Sequence, residues 1–237
     1  MLAFRWDLTV RIWTALCHLL AAGVIGIACP LTASAQDRRQ NSPGEFDFYV
    51  LSLSWSPSYC EEASERGSGS RSQQIQCGGR PFSFVVHGLW PQYDHGFPEY
   101  CERPSPRLER GIMTSMLDLM PAPGLIFNEW DKHGTCSGLS ARAYFETIRK
   151  ARAAVKIPPE FIALSDPKTV SPADVEEAFI KVNPGLPADA IAVTCNRTRL
   201  SEVRICMSKD LQFRSCEEID RRACRRDQVT MPPVRGG

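Results

Sequence analysis

Eight cysteines between residues 60 and 224 constrain the fold of this 237-residue chain more than any other feature. Two more, Cys17 and Cys29, lie in an apolar amino-terminal stretch. An even number of cysteines behind an export signal indicates disulfide bonds formed in an oxidising compartment. Eight cysteines allow on the order of 100 pairings, so their spacing alone selects none of them. The eight residues are Cys60, Cys77, Cys101, Cys136, Cys195, Cys206, Cys216 and Cys224.

The first 35 residues have the organisation of a secretory signal peptide. Arg5 and Arg11 precede a long uncharged stretch, and Ala33-Ser34-Ala35 precedes polar sequence from Gln36 onward. A basic start, an apolar middle and a small-x-small site are typical of a leader that is cleaved on export. We predict cleavage after Ala35 and a secreted or periplasmic product with no membrane attachment. An uncleaved anchor is the alternative, because the apolar stretch is long enough to span a bilayer.

The charge of the predicted mature chain is balanced overall but uneven along the sequence. Without residues 1–35 the chain has 26 basic and 26 acidic residues. This balance excludes a strong overall field that would draw the protein onto a nucleic acid. Residues 195–237 nevertheless contain ten Lys and Arg against six Asp and Glu. Any anionic ligand must therefore be held by local groups.

Strand-like and helix-like patterns occupy different parts of the mature chain. Segments with the composition and alternation of strands lie at residues 46–55, 82–86, 190–195 and 203–207. Segments with helical spacing lie between them, at residues 106–120, 140–156 and 171–182. We predict a surface loop at residues 61–74 and a frayed tail at about 228–237. This order predicts one α+β domain over residues 36–237, with an antiparallel sheet flanked by helices.

Two of the three mature histidines have neighbours suited to catalysis. His87 follows the predicted strand 82–86, and Trp90 comes three residues later, with a flat face on which a base can stack. Taken singly, each residue is more simply explained as part of the core. The third histidine, His95, lies in a polar, glycine-containing segment and is explained as part of a surface turn.

The second segment brings three functional groups together if it is helical. Glu129, Lys132 and His133 are three or four positions apart and then share one helix face. A solvated face with an ion pair explains the first two, but not the imidazole. Two imidazoles and an ammonium can provide a base, an acid and a cation that stabilises an anionic transition state. RNA carries its own nucleophile in the 2′-hydroxyl, so this set requires neither a metal ion nor a protein nucleophile.

Residues 84–93 (FVVHGLWPQY) and 129–137 (EWDKHGTCS) resemble the two catalytic segments of the ribonuclease T2 family. Residues 51–60 (LSLSWSPSYC) resemble the first strand of that family, and the resemblance extends from about residue 46 to about residue 224. It implies an α+β fold stabilised by disulfides. It also implies a monomeric endoribonuclease, without metal or cofactor, that cleaves single-stranded RNA by transphosphorylation through a 2′,3′-cyclic phosphate.

The resemblance implies a role for each residue of the two segments. His133 would remove the proton of the 2′-hydroxyl, and His87 would protonate the 5′-oxygen. Glu129 and Lys132 would orient and stabilise the pentacoordinate phosphorus, and Trp90 would line a base site.

The sequence departs from the family pattern at one position, and the resemblance implies four disulfide pairings. Asn128 stands where many family members have a third histidine, so it offers a hydrogen bond to a phosphate but no charge. We therefore expect catalysis with an altered phosphate affinity or pH optimum. The implied pairs are Cys60–Cys77, Cys101–Cys136, Cys195–Cys224 and Cys206–Cys216.

Three other functions stay open on the sequence alone. A catalytically weak RNA-binding protein of the same fold would bind RNA without cutting it. A secreted metal-dependent nuclease would be sensitive to a chelator, although the chain has no C-x-x-C or H-x₃-H pair that would indicate zinc. A cysteine hydrolase with Cys136 and His133 would need a free thiol, which the even number of cysteines argues against.

Overall fold

The computed structural model describes residues 41–67, 71–78 and 80–234, and the predicted signal peptide lies outside these residues. The strands within the described ranges are β1 (Phe48–Trp55), β2 (Phe84–Gln92), β3 (Lys168–Val170), β4 (Ile191–Cys195), β5 (Leu200–Met207) and β6 (Val229–Met231). The helices within them are α1 (Ser56–Glu65), α2 (Arg71–Gly78), α3 (Arg110–Ser115), α4 (Pro123–Lys132), α5 (Ala141–Ala154), α6 (Pro172–Val182) and α7 (Glu217–Arg221).

Four strands form an antiparallel sheet in the order β2-β1-β5-β4, which confirms the predicted α+β class. One face of this sheet packs into the main core, which also contains the apolar faces of α5 and α6. The other face is covered at one end by α7, through a small cluster around Val50, Cys206 and Ile219. The opposite end of that face carries polar side chains, and the candidate site lies there.

The strand β2 continues past His87, where the sequence-based prediction ended it. Ser52 of β1 pairs with Gly88 and Leu53 pairs with Val86, so His87 is the extra residue of a β-bulge. Val86 and Leu89 both lie in the main core although they are three positions apart. The bulge therefore places His87 and Gly88 together between two core residues, which a regular alternation does not allow.

Two segments predicted to be irregular are ordered. The predicted loop at 61–74 is wrong, because α1, with Pro57 in its first turn, extends to Glu65, and α2 follows after the undescribed residues 68–70. The predicted frayed tail is wrong as far as residue 234. Val229 and Met231 are buried in β6, which pairs with β3, and the indole of Trp55 donates a 3.1 Å hydrogen bond to the Pro232 carbonyl.

The predicted helices differ in how well their bounds agree with the structure. The predictions at 140–156 and 171–182 are confirmed by α5 and α6, and α6 begins with a capping box between Ser171 and Asp174. The prediction at 106–120 is too long, since only Arg110–Ser115 is helical there. Of the residues that the structure describes, none belongs to a helix with the length and apolarity needed to cross a membrane.

Candidate active site

A glycine brings α4 against the edge strand β2. A side chain at position 88 would collide with the Glu129 carboxylate and with the indole nitrogen of Trp90, so only glycine allows this approach. Gly134 makes a similar approach just beyond the helix, against Trp130 and Tyr144. The close contact places the polar face of α4 beside the bulge that carries His87.

The indole of Trp90 lies close to both histidines that the sequence singled out. The centroid of its ring is 5.2 Å from that of His87 and 5.4 Å from that of His133. Its Nε1–H donates a 2.7 Å hydrogen bond to Oε2 of Glu129. The structure thus brings together His87, Trp90, Glu129 and His133.

The Glu202 carboxylate, which the sequence analysis missed, contacts the side of the His87 ring that faces away from the site. The Nδ1–H of His87 donates a short hydrogen bond to Oε1 of Glu202 on β5. Arg204 donates two hydrogen bonds to Oε2 of the same carboxylate, at 3.0 and 2.7 Å. The other ring nitrogen of His87, Nε2, lies 3.6 Å from Oε1 of Glu129 and faces the site. The signal in the sequence is a pair of charged residues, Glu202 and Arg204, within the largely apolar strand LSEVRICM.

The surroundings of His87 favour its protonated form. Burial lowers the pKa of His87, but the hydrogen bond to Glu202 and the nearby negative charges outweigh burial and raise the pKa above its ordinary value. Burial raises the pKa of Glu202, but the hydrogen bond and charge of His87, together with Arg204, outweigh it and lower the pKa to about 2. The pair is therefore an imidazolium beside a carboxylate.

The surroundings of His133 favour its neutral form. Burial, and then the positive charges of Lys132 and His87, lower the pKa of His133 to about 3. Nδ1 of His133 is buried and finds no hydrogen-bond partner in the described part of the chain. The two imidazoles beside Trp90 are thus biased in opposite directions, one toward the acid form and one toward the base form.

Glu129 is a buried carboxyl group with a high pKa. Burial raises the pKa of Glu129 to about 7, although the charge of His87 and the hydrogen bond from Trp90 act in the opposite direction. In a population of molecules, about half of the Glu129 carboxyls are therefore protonated near neutral pH. Most of them are protonated at lower pH. A protonated carboxyl can donate a hydrogen bond to a phosphate oxygen, which an ionised one cannot.

Lys132 and Asn128 lie on α4 at the margin of this cluster. The ammonium of Lys132 forms an ion pair with Glu99 at 3.3 Å and lies 5.9 Å from the ring centroid of Phe97. It is close enough to His133 and Glu129 to lower the pKa of both. The side chain of Asn128 is exposed. The structure therefore places the Lys132 ammonium near the cluster and leaves the Asn128 side chain exposed on α4.

The end of α4 is anchored by a disulfide and by backbone hydrogen bonds. Cys136 is bonded to Cys101, and the Tyr100 amide donates a 2.8 Å hydrogen bond to the Lys132 carbonyl. The remaining disulfides join Cys60 to Cys77, Cys195 to Cys224 and Cys206 to Cys216, and all four pairs are those that the family resemblance implies. Cys136 has no free thiol, so a cysteine hydrolase with this nucleophile is ruled out.

Nothing in the described ranges groups three or more His, Cys, Asp or Glu side chains in an arrangement that could hold a metal ion. The imidazoles, carboxyls and ammonium described above are the functional groups that surround Trp90 and α4. Two imidazoles and the Glu129 carboxyl lie around the Trp90 indole, with the Lys132 ammonium nearby on α4.

Comparison with known proteins places the chain among ribonucleases. It is 39% identical over 129 residues to a probable ribonuclease of Haemophilus influenzae, and this match covers 50% of the chain and 47% of that relative. It is 27% identical over 218 residues to ribonuclease I of Escherichia coli, with 76% and 81% of the two chains covered. A ribonuclease of Aeromonas hydrophila is 39% identical over 119 residues, which is 51% of its length. The matches to the Haemophilus and Aeromonas proteins thus span about half of each relative.

Two solved structures have the same fold. The RNase-related protein from Calystegia sepium superimposes with a TM-score of 0.62 at 20% identity, over 81% of this chain and 99% of that one. RNase NT in complex with 5′-AMP superimposes with a TM-score of 0.60 at 23% identity, over 80% and 99% of the two chains. The family model described as Ribonuclease T2 family matches residues 46–216, a range that contains both histidine segments and Glu202. The chain therefore belongs to the ribonuclease T2 family.

Proposed function

We propose that this protein is an endoribonuclease that cleaves single-stranded RNA by transphosphorylation, with a 2′,3′-cyclic phosphate as the first product. One observation carries the proposal: two imidazoles with opposite pKa shifts, His87 and His133, pack against the same indole. This reaction needs one group that accepts a proton and one that donates a proton at the same pH.

His133 acts as the base in the first half of the step. Its low pKa leaves the imidazole unprotonated at any pH above about 4, so it is free to take the proton of the 2′-hydroxyl. The bound phosphate is an anion, and its charge raises the pKa of His133 as the proton arrives. The 2′-oxygen then forms a bond to phosphorus.

His87 acts as the acid in the second half. Its Nδ1–H remains bonded to Glu202, and Nε2–H gives its proton to the 5′-oxygen as the bond from phosphorus to that oxygen breaks. The Glu202 carboxylate fixes the ring orientation and stabilises the imidazolium before transfer. Each histidine ends the step in the protonation state opposite to the one in which it began. Hydrolysis of the cyclic phosphate can restore both original states.

Glu129 and Lys132 stabilise the charge that develops on phosphorus. The neutral Glu129 carboxyl donates a hydrogen bond to a non-bridging oxygen, and the Lys132 ammonium supplies positive charge from the rim of the site. Trp90 provides an aromatic surface for a base. All of these roles are filled by side chains, so the proposed reaction does not need a metal ion.

Four disulfides support export to an oxidising compartment, either the periplasm or the exterior of the cell. The predicted signal peptide at residues 1–35 supports the same location.

The nature of the product tests the proposed function. The purified protein is incubated with an RNA oligonucleotide and excess EDTA between pH 4 and 8, and the termini are identified by mass spectrometry. We expect fragments with a 2′,3′-cyclic phosphate, and no cut at a position where the 2′-hydroxyl is replaced by hydrogen. Loss of cleavage in EDTA, or cutting of DNA, would contradict the proposal. Binding of RNA without cleavage would favour the catalytically weak binding protein instead.

A further inference from the structure

A groove lined by arginines lies at the β4 edge of the sheet, the edge opposite to α4 and β2. Its volume is about 390 Å³. The strand end that contains Thr194 and Cys195 forms one wall, and the segment after α7 forms the other. The arginines that line it are Arg197, Arg222, Arg225 and Arg226.

The positive charge of this groove is largely uncompensated. Arg197, Arg225 and Arg226 are exposed, and across the described residues none of them forms an ion pair. Arg222 pairs with Glu218, which does not line the groove. The lining within the described ranges contains no carboxylate, since Asp227 follows Arg226 but lies outside it. Three exposed guanidinium groups are therefore available to an anion.

The two walls of the groove are fixed to each other. The disulfide Cys195–Cys224 joins the end of β4 to the arginine-containing segment, and the amide of Cys224 donates a 2.7 Å hydrogen bond to the Val193 carbonyl. The side chain of Asn196 accepts hydrogen bonds from the amides of Thr198 and Arg199, which orders the turn that carries Arg197. The arginine side chains thus project from a fixed backbone frame, so binding an anion requires ordering of these side chains but little ordering of the backbone.

The groove lies on the face of the sheet that carries Glu202 and Arg204. Thr194 in its wall is the register partner of Glu202, and Ala192 is the partner of Arg204. Directly paired residues project to the same face of a sheet. The Arg204 guanidinium in turn lies 5.1 Å from the ring centroid of Trp90. Neighbouring strands are about 4.8 Å apart, so the three steps from β2 to β4 cover about 14 Å, which a few nucleotides span.

We infer that this arginine groove binds the phosphate backbone of the RNA strand beyond the cleaved bond. The inference rests on the proposed function and specifies its substrate as a chain longer than a dinucleotide. Arginine binds phosphate through two parallel N–H groups, and contacts of this kind are independent of base sequence. The chain is balanced in charge overall, so attraction to RNA must come from a local surface such as this one.

The dependence of kcat/KM on substrate length distinguishes a contribution of the groove from a contribution of the active site. We compare R225A/R226A with the unchanged protein by the ratio of kcat/KM for a twenty-nucleotide RNA to kcat/KM for a dinucleotide. We expect this ratio to fall about tenfold at low salt, and the salt dependence for the long RNA to weaken by about 0.7 in log–log slope per lost contact. The control K150A/K156A removes two exposed charges near α5, which packs on the opposite sheet face, and its ratio should not change.

Binding to a single-stranded DNA of the same length, followed by fluorescence anisotropy, gives a readout that does not depend on cleavage. If R225A/R226A binds this DNA more weakly and K150A/K156A does not, the groove is supported even when the protein cuts no RNA. In that case only the proposed function fails. An unchanged ratio with unchanged binding would overturn the groove, as would an equal loss in K150A/K156A. A loss of heparin binding with RNA unaffected would also overturn it, in favour of another polyanion.

Discussion

His87 is hydrogen-bonded through Nδ1 to the carboxylate of Glu202, a residue 115 positions later in the chain. The contact uses the ring nitrogen that faces away from the candidate site and leaves Nε2 directed toward Glu129. A carboxylate behind an imidazole fixes its orientation and raises its proton affinity. Glu202 is thus a positioning residue for the proposed acid.

The variant Glu202→Gln should lower the pKa of His87. Without the carboxylate, burial becomes the main influence on the imidazole and favours its neutral form. His87 has to be protonated to act as the acid, so the alkaline limb of the kcat/KM profile should move to lower pH, with a loss of about tenfold near pH 7.

The pH profile is measured together with an NMR titration of His87. Glu217→Gln serves as the control, because that exposed carboxylate forms an ion pair with Arg221 on the surface of α7. An alkaline limb in the same place for Glu202→Gln would refute the positioning role.

Replacement of either active-site histidine should abolish most of the activity. His87→Ala and His133→Ala should each reduce kcat/KM at least about a thousandfold, since a positioned acid or base contributes about 10²–10⁴. His95→Ala is the matched control, because the His95 side chain is 91% exposed. The measurement is the steady-state rate on one RNA substrate. A near-normal rate for either variant would show that this histidine is not part of the mechanism.

Gly88→Ala should separate α4 from β2. The added methyl group collides with the Glu129 carboxylate and the Trp90 indole, so both must move away from His87. We expect kcat/KM to fall at least about tenfold, because small displacements of catalytic groups are costly. Gly111→Ala is the control, since a side chain there meets no atom within 4 Å. Equal kinetics for the two variants would show that this close approach is not needed.

Glu129→Gln should stabilise the protein at alkaline pH. The pKa of Glu129 is raised from 4.5 to about 7 in the folded state, so the unfolded chain loses its proton first and the folded state becomes less stable as pH rises from 4.5 to 7. Glutamine avoids this cost and still accepts the hydrogen bond from Trp90. Urea unfolding should give a gain of up to about 3 kcal/mol at pH 8 and little change at pH 4. A gain that is the same at both pH values would contradict the raised pKa.

Asn128→His should strengthen substrate binding at acidic pH only. The exposed side chain lies next to Glu129 on α4, and a protonated imidazole there adds a charge that can attract the phosphate. We expect KM to fall about threefold at pH 5 and the effect to vanish above about pH 7, as the imidazole loses its proton. Asn128→Gln keeps a neutral amide and should not show this dependence. A fall in KM that is independent of pH would exclude a charge effect.

The helical half of the site was predictable because it is local in sequence. Glu129 and His133 are four positions apart, and helical geometry alone places them on one face. The strand half was only partly predictable. The β-bulge at His87 depends on register with Ser52, and Glu202 reaches His87 by pairing between distant strands. The periodicity of a single segment indicates neither the register between strands nor which strands are neighbours in the sheet.

The irregular segments were mispredicted for a related reason. The sequence of α1 and α2 is polar and has little apolar periodicity, yet the disulfide Cys60–Cys77 joins the two helices. The strand β6 has only three residues, and its stability comes from pairing with β3 and from burial of Val229 and Met231. Both features are imposed by tertiary contacts that override local propensity.

The position of β1 in the sheet sets an order on biosynthesis. β1 pairs with β2 on one side and with β5 on the other, and β5 begins at Leu200. A nascent chain that has not yet reached Leu200 already carries both imidazoles, but it lacks Glu202 and leaves one edge of β1 without its neighbour. The sheet position of β1 and the contact between His87 and Glu202 are therefore completed only after synthesis has passed β5.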